Sequence, residues 1–136
     1  MSMPIAVADG QAIAFPNVCL TPAPPSAPIP IPYPNIAMLS DAVDVSLDVQ
    51  VGGLGVILAN HTNVPTSSGD EAGTNGGVTS MVNGGKCEFP QGSGTVLING
   101  KPVVRMMDPT HQNVGPAGPN AFGNVLFGDA TVLVGG

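Results

Sequence analysis

Four side chains in this sequence have the chemistry to bind a borderline metal ion: Cys19, His61, Cys87 and His111. Two thiolates and two imidazoles make a tetrahedral zinc set, and a site closed by four protein ligands is structural because no position is left for substrate. The four are separated by 41, 25 and 23 intervening residues, so no pair has zinc-finger spacing. What favours a shared centre is where each one falls. Cys19 follows Pro16-Asn17, His61 follows a GLGVILAN segment, Cys87 follows Gly84-Gly85, and His111 follows Asp108-Pro109. All four therefore sit at predicted strand ends. The other reading keeps the cysteines as small buried hydrophobes and the histidines in loops. Sequence alone leaves both open.

The remaining polar candidates are weaker. Asp70 and Glu71 are adjacent carboxylates in a Gly-rich turn, and neighbours in sequence diverge instead of facing one reacting atom. Turn formation and hydrogen bonding to loop amides is the expected role. Ser67, Ser68 and Ser93 lack a nucleophile-elbow context. Arg105 and Asp108 are expected to satisfy a hairpin end.

The elements that must position these groups are short strands and turns. Gly and Pro number 19 and 15 in 136 residues, but they alternate with Val/Ile/Leu runs, and charged residues make up only 9%. This is turn punctuation, not the charged, aliphatic-poor composition of a disordered chain. Asp9-Gly10 marks a turn. Residues 21–35 (TPAPPSAPIPIPYPN) predict an extended polyproline-type strap packed through Ile29, Ile31 and Tyr33. Asn35 is placed to cap one helical turn over 36–39. Val43, Val45, Leu47, Val49 and Val51 alternate with polar residues, which predicts a half-buried strand with an acidic outer face. Asn99-Gly100 predicts a type I′ hairpin joining 95–98 to 102–106. The tail predicts a second hairpin turning at 127–129. Residues 66–80 read as an ordered series of turns. Segments 53–60 (GLGVILAN), 92–99 (GSGTVLIN) and 128–135 (GDATVLVG) echo one another, which predicts similar β-units around a common axis.

Charge excludes two classes of partner. Lys86, Lys101 and Arg105 are the only cations against nine carboxylates, too few to neutralise a nucleic-acid backbone. No apolar run reaches the roughly 20 residues of a spanning helix, and no basic amphipathic helix suggests stable membrane anchoring. The N-terminus lacks the charged and apolar regions of a secretory signal, so synthesis in the cytoplasm with any export by another route is expected.

At this point the motifs become familiar. GSGTVLINGKPVVRMMDPTH resembles the signature of PAAR-repeat proteins, and PIPYPNIAMLSDA with SSGDEAGTNGGVTS resembles the PAAR-like subgroup that carries a Gly-Asp-Glu-Ala-Gly motif. The resemblance covers about residues 15 to 110. It implies an all-β fold: a small conical domain spanning 1–136 with little helix, acting as a structural tip and not as an enzyme. It also implies a seat on the trimeric VgrG-type spike of a type VI secretion system or related injector, a role in loading effectors or adaptors, and delivery by that machine. One cap per threefold spike implies a monomer in isolation. Family members bind one zinc, typically through three His and one Cys. This chain has two His and no Cys-Pro-x-His near its end, so Cys19, His61, Cys87 and His111 are the available ligands.

Two other functions stand beside this one. A small metal-dependent hydrolase would use His61, His111 and a carboxylate such as Asp70. A β-rich secreted binding module would carry a Cys19–Cys87 disulfide.

Overall fold

The structure, a computed structural model, describes residues 2–136. Twelve strands and one short 3-10 turn (Leu39–Asp41) run in the order β1 (Met3–Ile5), β2 (Gln11–Ala23), β3 (Ser26–Met38), β4 (Gln50–Val51), β5 (Leu54–Gly55), β6 (Asn63–Val64), β7 (Lys86–Glu88), β8 (Leu97–Ile98), β9 (Lys101–Pro102), β10 (Pro109–Val114), β11 (Ala121–Val125) and β12 (Asp129–Val134). The fold is all-β, as the sequence predicts. One six-stranded sheet has the order β3-β2-β11-β10-β7-β6, and three two-stranded ribbons pair β1 with β12, β4 with β5 and β8 with β9.

The proline-rich stretch is not a strap. It turns at residues 24–25 and returns as β3, paired antiparallel along β2 from Ala23↔Ser26 to Gln11↔Met38. Strand residues present their N–H and C=O to one neighbour, and the next residue presents them to the other. Pro28, Pro30, Pro32 and Pro34 share one parity, so every missing N–H faces the same edge. Ile36 has that parity too, and it exchanges backbone hydrogen bonds with Ser68 on the side away from β2. The prolines therefore lie along the outer edge of an edge strand, where no ladder bond is lost.

Three other expectations need correction. Residues 36–38 continue β3, and the helical turn starts only at Leu39. Asn35 does not cap it; its Nδ2 donates to Ser67 Oγ and its Oδ1 accepts from Gln112 Nε2. The alternating stretch from Val43 is strand only at Gln50–Val51, and Leu47 is exposed while Ser46 is buried. Its face inverts because the Ser46 backbone N–H donates to Val56 O and Ser46 Oγ takes the Val56 N–H. The tail forms no hairpin: β11 joins the large sheet and β12 crosses to β1.

The predicted type I′ turn is present, with φ of 54° at Asn99 and 77° at Gly100. Both residues must adopt left-handed backbone there, which Asn and Gly tolerate.

At the centre, three segments close a ring. Ala6 N–H donates to Val104 O (2.9 Å), Val104 N–H to Ile57 O (3.0 Å), and Ile57 N–H to Ala6 O (3.0 Å). The flanking bridges repeat the pattern: Ile5↔Arg105, Val7↔Val56 and Leu58↔Val103. Side chains alternate across this triangular layer. Ala6, Ile57 and Val104 enter the larger core with Phe89, Leu39 and Val64. Ile5, Val7, Val56, Leu58 and Val103 enter a second core with Val51, Ile98 and Val134 from the three ribbons.

Candidate functional site

Each ring segment leaves one ribbon, and the ribbons are built alike. Gln50 pairs with Gly55, Leu97 with Pro102, and Leu133 with Pro4. The next residue on the exit strand then pairs four positions back, Val56 with Ser46, Val103 with Ser93, and Ile5 with Asp129. This aligns SLDVQV (46–51), SGTVLI (93–98) and DATVLV (129–134) as three equivalent strands. The third unit is split between the two chain ends. The sequence echo is real for 92–99 and 128–135, but 53–60 is the exit strand of the first ribbon, and its true counterpart is 46–51. Hydrophobicity misled here, because Gln50 stands where the other units have Leu.

The units also touch cyclically. Asn99 Nδ2 at the second ribbon's turn donates to Asp48 Oδ1 of the first. A Cβ built on Gly52 at the first turn would lie 3.0 Å from Asp129 Oδ2 of the third. Gly94 N–H of the second donates to Gly136 O beyond the third, at 3.1 Å. The outward valines match: Val49, Val96 and Val132 are 40%, 37% and 37% exposed. Leu97 and Leu133 are more exposed still. A quasi-threefold rim with three apolar positions results, and sequence reasoning missed its residues.

The four predicted metal ligands are dispersed. His61 and His111 line one shallow concavity of about 270 Å³ with Asn60, Asn63, Glu88 and Pro90. His111 lies edge-on to Phe122, with centroids 5.3 Å apart, and Glu88 is ion-paired to Lys86 at 3.0 Å. Cys87 is buried in the larger core opposite Val64, and burial first, then the Glu88 carboxylate, pushes its thiol up to about 12. Cys19 lies in β2 beside Asp70. Burial, then the Asp70 charge and hydrogen bond, push that thiol up to about 11. The charged neighbour of Cys19 thus opposes the thiolate a metal would need. Among the described residues no three His, Cys, Asp or Glu side chains converge closely enough to hold a metal ion. The residues present do not fit a four-ligand zinc centre.

The same placement removes the rival arrangements. Asp70 is buried with Asn17 and Cys19, not among the residues lining the histidine concavity, so His61, His111 and Asp70 do not form one site. Cys19 and Cys87 are both free and buried, so the disulfide is not formed.

What gathers around Asp70 is a polar centre. Its Oδ2 accepts from Asn17 Nδ2 (2.8 Å) and Cys19 Sγ (3.8 Å), and both carboxylate oxygens face the Gly84 N–H at 3.1 and 3.2 Å. Asn17 Oδ1 accepts from Asn113 Nδ2 and Asn120 Nδ2. Asn83 Nδ2 donates to the Asp70 and Gly73 carbonyls. Asp70 thus makes its turn and binds loop amides, as expected. Glu71 accepts the Gly69 N–H. Arg105 and Asp108 form a bidentate pair (3.2 and 3.1 Å) at the end of the second unit.

Fold and site together define a small all-β module with two cores, a polar loop centre and a quasi-threefold rim. The chain belongs to the toxin PAAR-like domain family, whose model matches residues 10–119. It is 38% identical over 122 residues to the DNase toxin Tse7 of Pseudomonas aeruginosa, covering 83% of this chain and 31% of that protein. The chain thus spans about a third of this curated relative. No solved structure matches it.

Proposed function

We propose that this chain is a structural tip that seats on the end of a trimeric VgrG-type spike of a type VI secretion system or related injector, and is exported with it. The observation that carries this reading is the ring joining Ala6, Ile57 and Val104, with three equivalent ribbons around it. A monomer with three like edges matches a threefold shaft in every rotational register, so one copy satisfies three identical chains. Val49, Val96 and Val132 supply apolar contact at corresponding positions, and exposed ribbon edges extend the shaft's β-structure by strand addition.

The similarity to a DNase toxin favours a second role on the same tip: carriage of a toxin, either on a fused segment or on a separate chain. In this reading the 136 residues dock and carry, and the nuclease chemistry belongs elsewhere.

The test is a pull-down with a VgrG-type spike from the same organism. Replacing Val49, Val96 and Val132 together by Asp is expected to abolish capture while the far-UV spectrum stays native. Unchanged capture by that folded triple variant would refute the docking face.

A further inference from the structure

We infer that the loops of this domain are held by a metal-free polar centre, with Asp70 as an acceptor-only hub joining β2, β10 and the loops around 70–85 and 120. The family resemblance implies a zinc ion, with Cys19, His61, Cys87 and His111 as the available ligands. The donors that would serve it are instead spread over the histidine concavity, the apolar core and the Asp70 neighbourhood.

The Asp70 neighbourhood already does what a metal would do. Asn17, Cys19, Asp70 and Asn113 are fully buried, and among the described residues no buried side-chain nitrogen or oxygen lacks a hydrogen-bond partner. Segments distant in sequence meet there. Asn113 Nδ2 donates to Asn17 Oδ1 (3.1 Å) and Val82 O (3.0 Å), while its Oδ1 takes the Gly85 N–H at 2.7 Å. Asn120 Oδ1 takes the N–H groups of Thr79 and Ser80, and its Nδ2 reaches Val18 O. A complete network of this kind fixes loop geometry, because any unpaired member is costly.

The polarity of the hub is specific. Each Asp70 oxygen faces donors only: Oδ1 the Gly84 N–H, and Oδ2 the same N–H together with Asn17 Nδ2 and Cys19 Sγ. An Asn at 70 must aim its NH₂ at one of these donors in either rotamer, whereas a carboxylate accepts from both. Exchanging the two residues restores complementarity. An Asp at 17 would accept from an Asn at 70 through one oxygen, and through the other from Asn113 and Asn120.

The inference is independent of what the rim docks to, and the purified full chain tests it. The chain, expressed in zinc-supplemented medium, is assayed for metal by mass spectrometry and melted with and without excess chelator. The expectation is substoichiometric zinc and an unchanged midpoint. D70N and N17D alone are each expected to lower the midpoint by roughly 10 °C, and the N17D/D70N double variant to recover most of that loss. H61A/H111A is expected to melt like the parent. One zinc per chain, a chelator-sensitive midpoint, or a double variant no better than the worse single one would overturn it. If a single variant fails to fold, the double variant and the metal assay still decide.

Discussion

Val104 donates its backbone N–H to the carbonyl of Ile57 at 3.0 Å, and Ile57 passes the pattern on to Ala6, so segments from three parts of the chain share one layer. The layer separates the two cores, and a side chain at its centre supports both by fixing the ring. Ile57→Ala removes a fully buried side chain that the ring cannot move in to replace. A loss of about 2–4 kcal/mol is expected, read as a lowered urea midpoint with unchanged slope. A loss within error would mean that the ring does not organise the fold.

The outer edge of β3 is proofed against strand addition by its prolines. Replacing Pro30 and Pro32 by Thr restores two N–H groups to an exposed edge while leaving the β2 ladder intact. Little change in melting temperature is expected, together with concentration-dependent association seen by light scattering. A variant that stays monomeric at high concentration would count against this account of the edge.

Gly123 sits where β11 crosses β2, opposite Ala14, and a Cβ there would overlap the Ile13 carbonyl oxygen. Gly123→Ala must push the two strands apart. The expected cost is about 1–3 kcal/mol, measured by chemical denaturation. A neutral substitution would show that the strands have room to separate.

The two thiols make a pH prediction. Folding raises both above the ordinary thiol value of 9.0, to about 11 for Cys19 and about 12 for Cys87. The unfolded chain releases these protons first, so the contribution is whole below pH 9 and is lost as pH rises through the folded values. The melting temperature should therefore be level with respect to these groups from pH 7 to 8 and fall above 9. A thiol reagent at pH 8 should label neither cysteine until the chain is unfolded. Rapid labelling of native protein would contradict their burial.

Much of the fold was legible because it rests on local chemistry. Asn99-Gly100 admits few backbones, and the strand-and-turn composition excluded a helical body. The motifs around 66–80 and 93–111 carried the family. The misread parts depend on partners distant in sequence. Nothing local to Pro28–Pro34 says that β2 lies along one side of it. Nothing at Ser46 says that Val56 will turn it inward and reverse the alternation that began at Val43. The metal expectation failed to find one place for a related reason: Cys19 looked like a ligand by residue type, while its real neighbours, Asp70 and Asn113, are 51 and 94 positions away. The rim valines were readable in principle. Aligning SLDVQV with SGTVLI and DATVLV needed the polar Ser/Asp at the first position to be weighed alongside the apolar ones.

The central claim is that one threefold-like chain caps three identical ones. Its direct measurement is the mass of the complex that co-purifies with a VgrG-type spike, taken by native mass spectrometry. The account predicts one copy of this chain per spike trimer. Three copies per trimer, or a spike that never retains the chain, would contradict it.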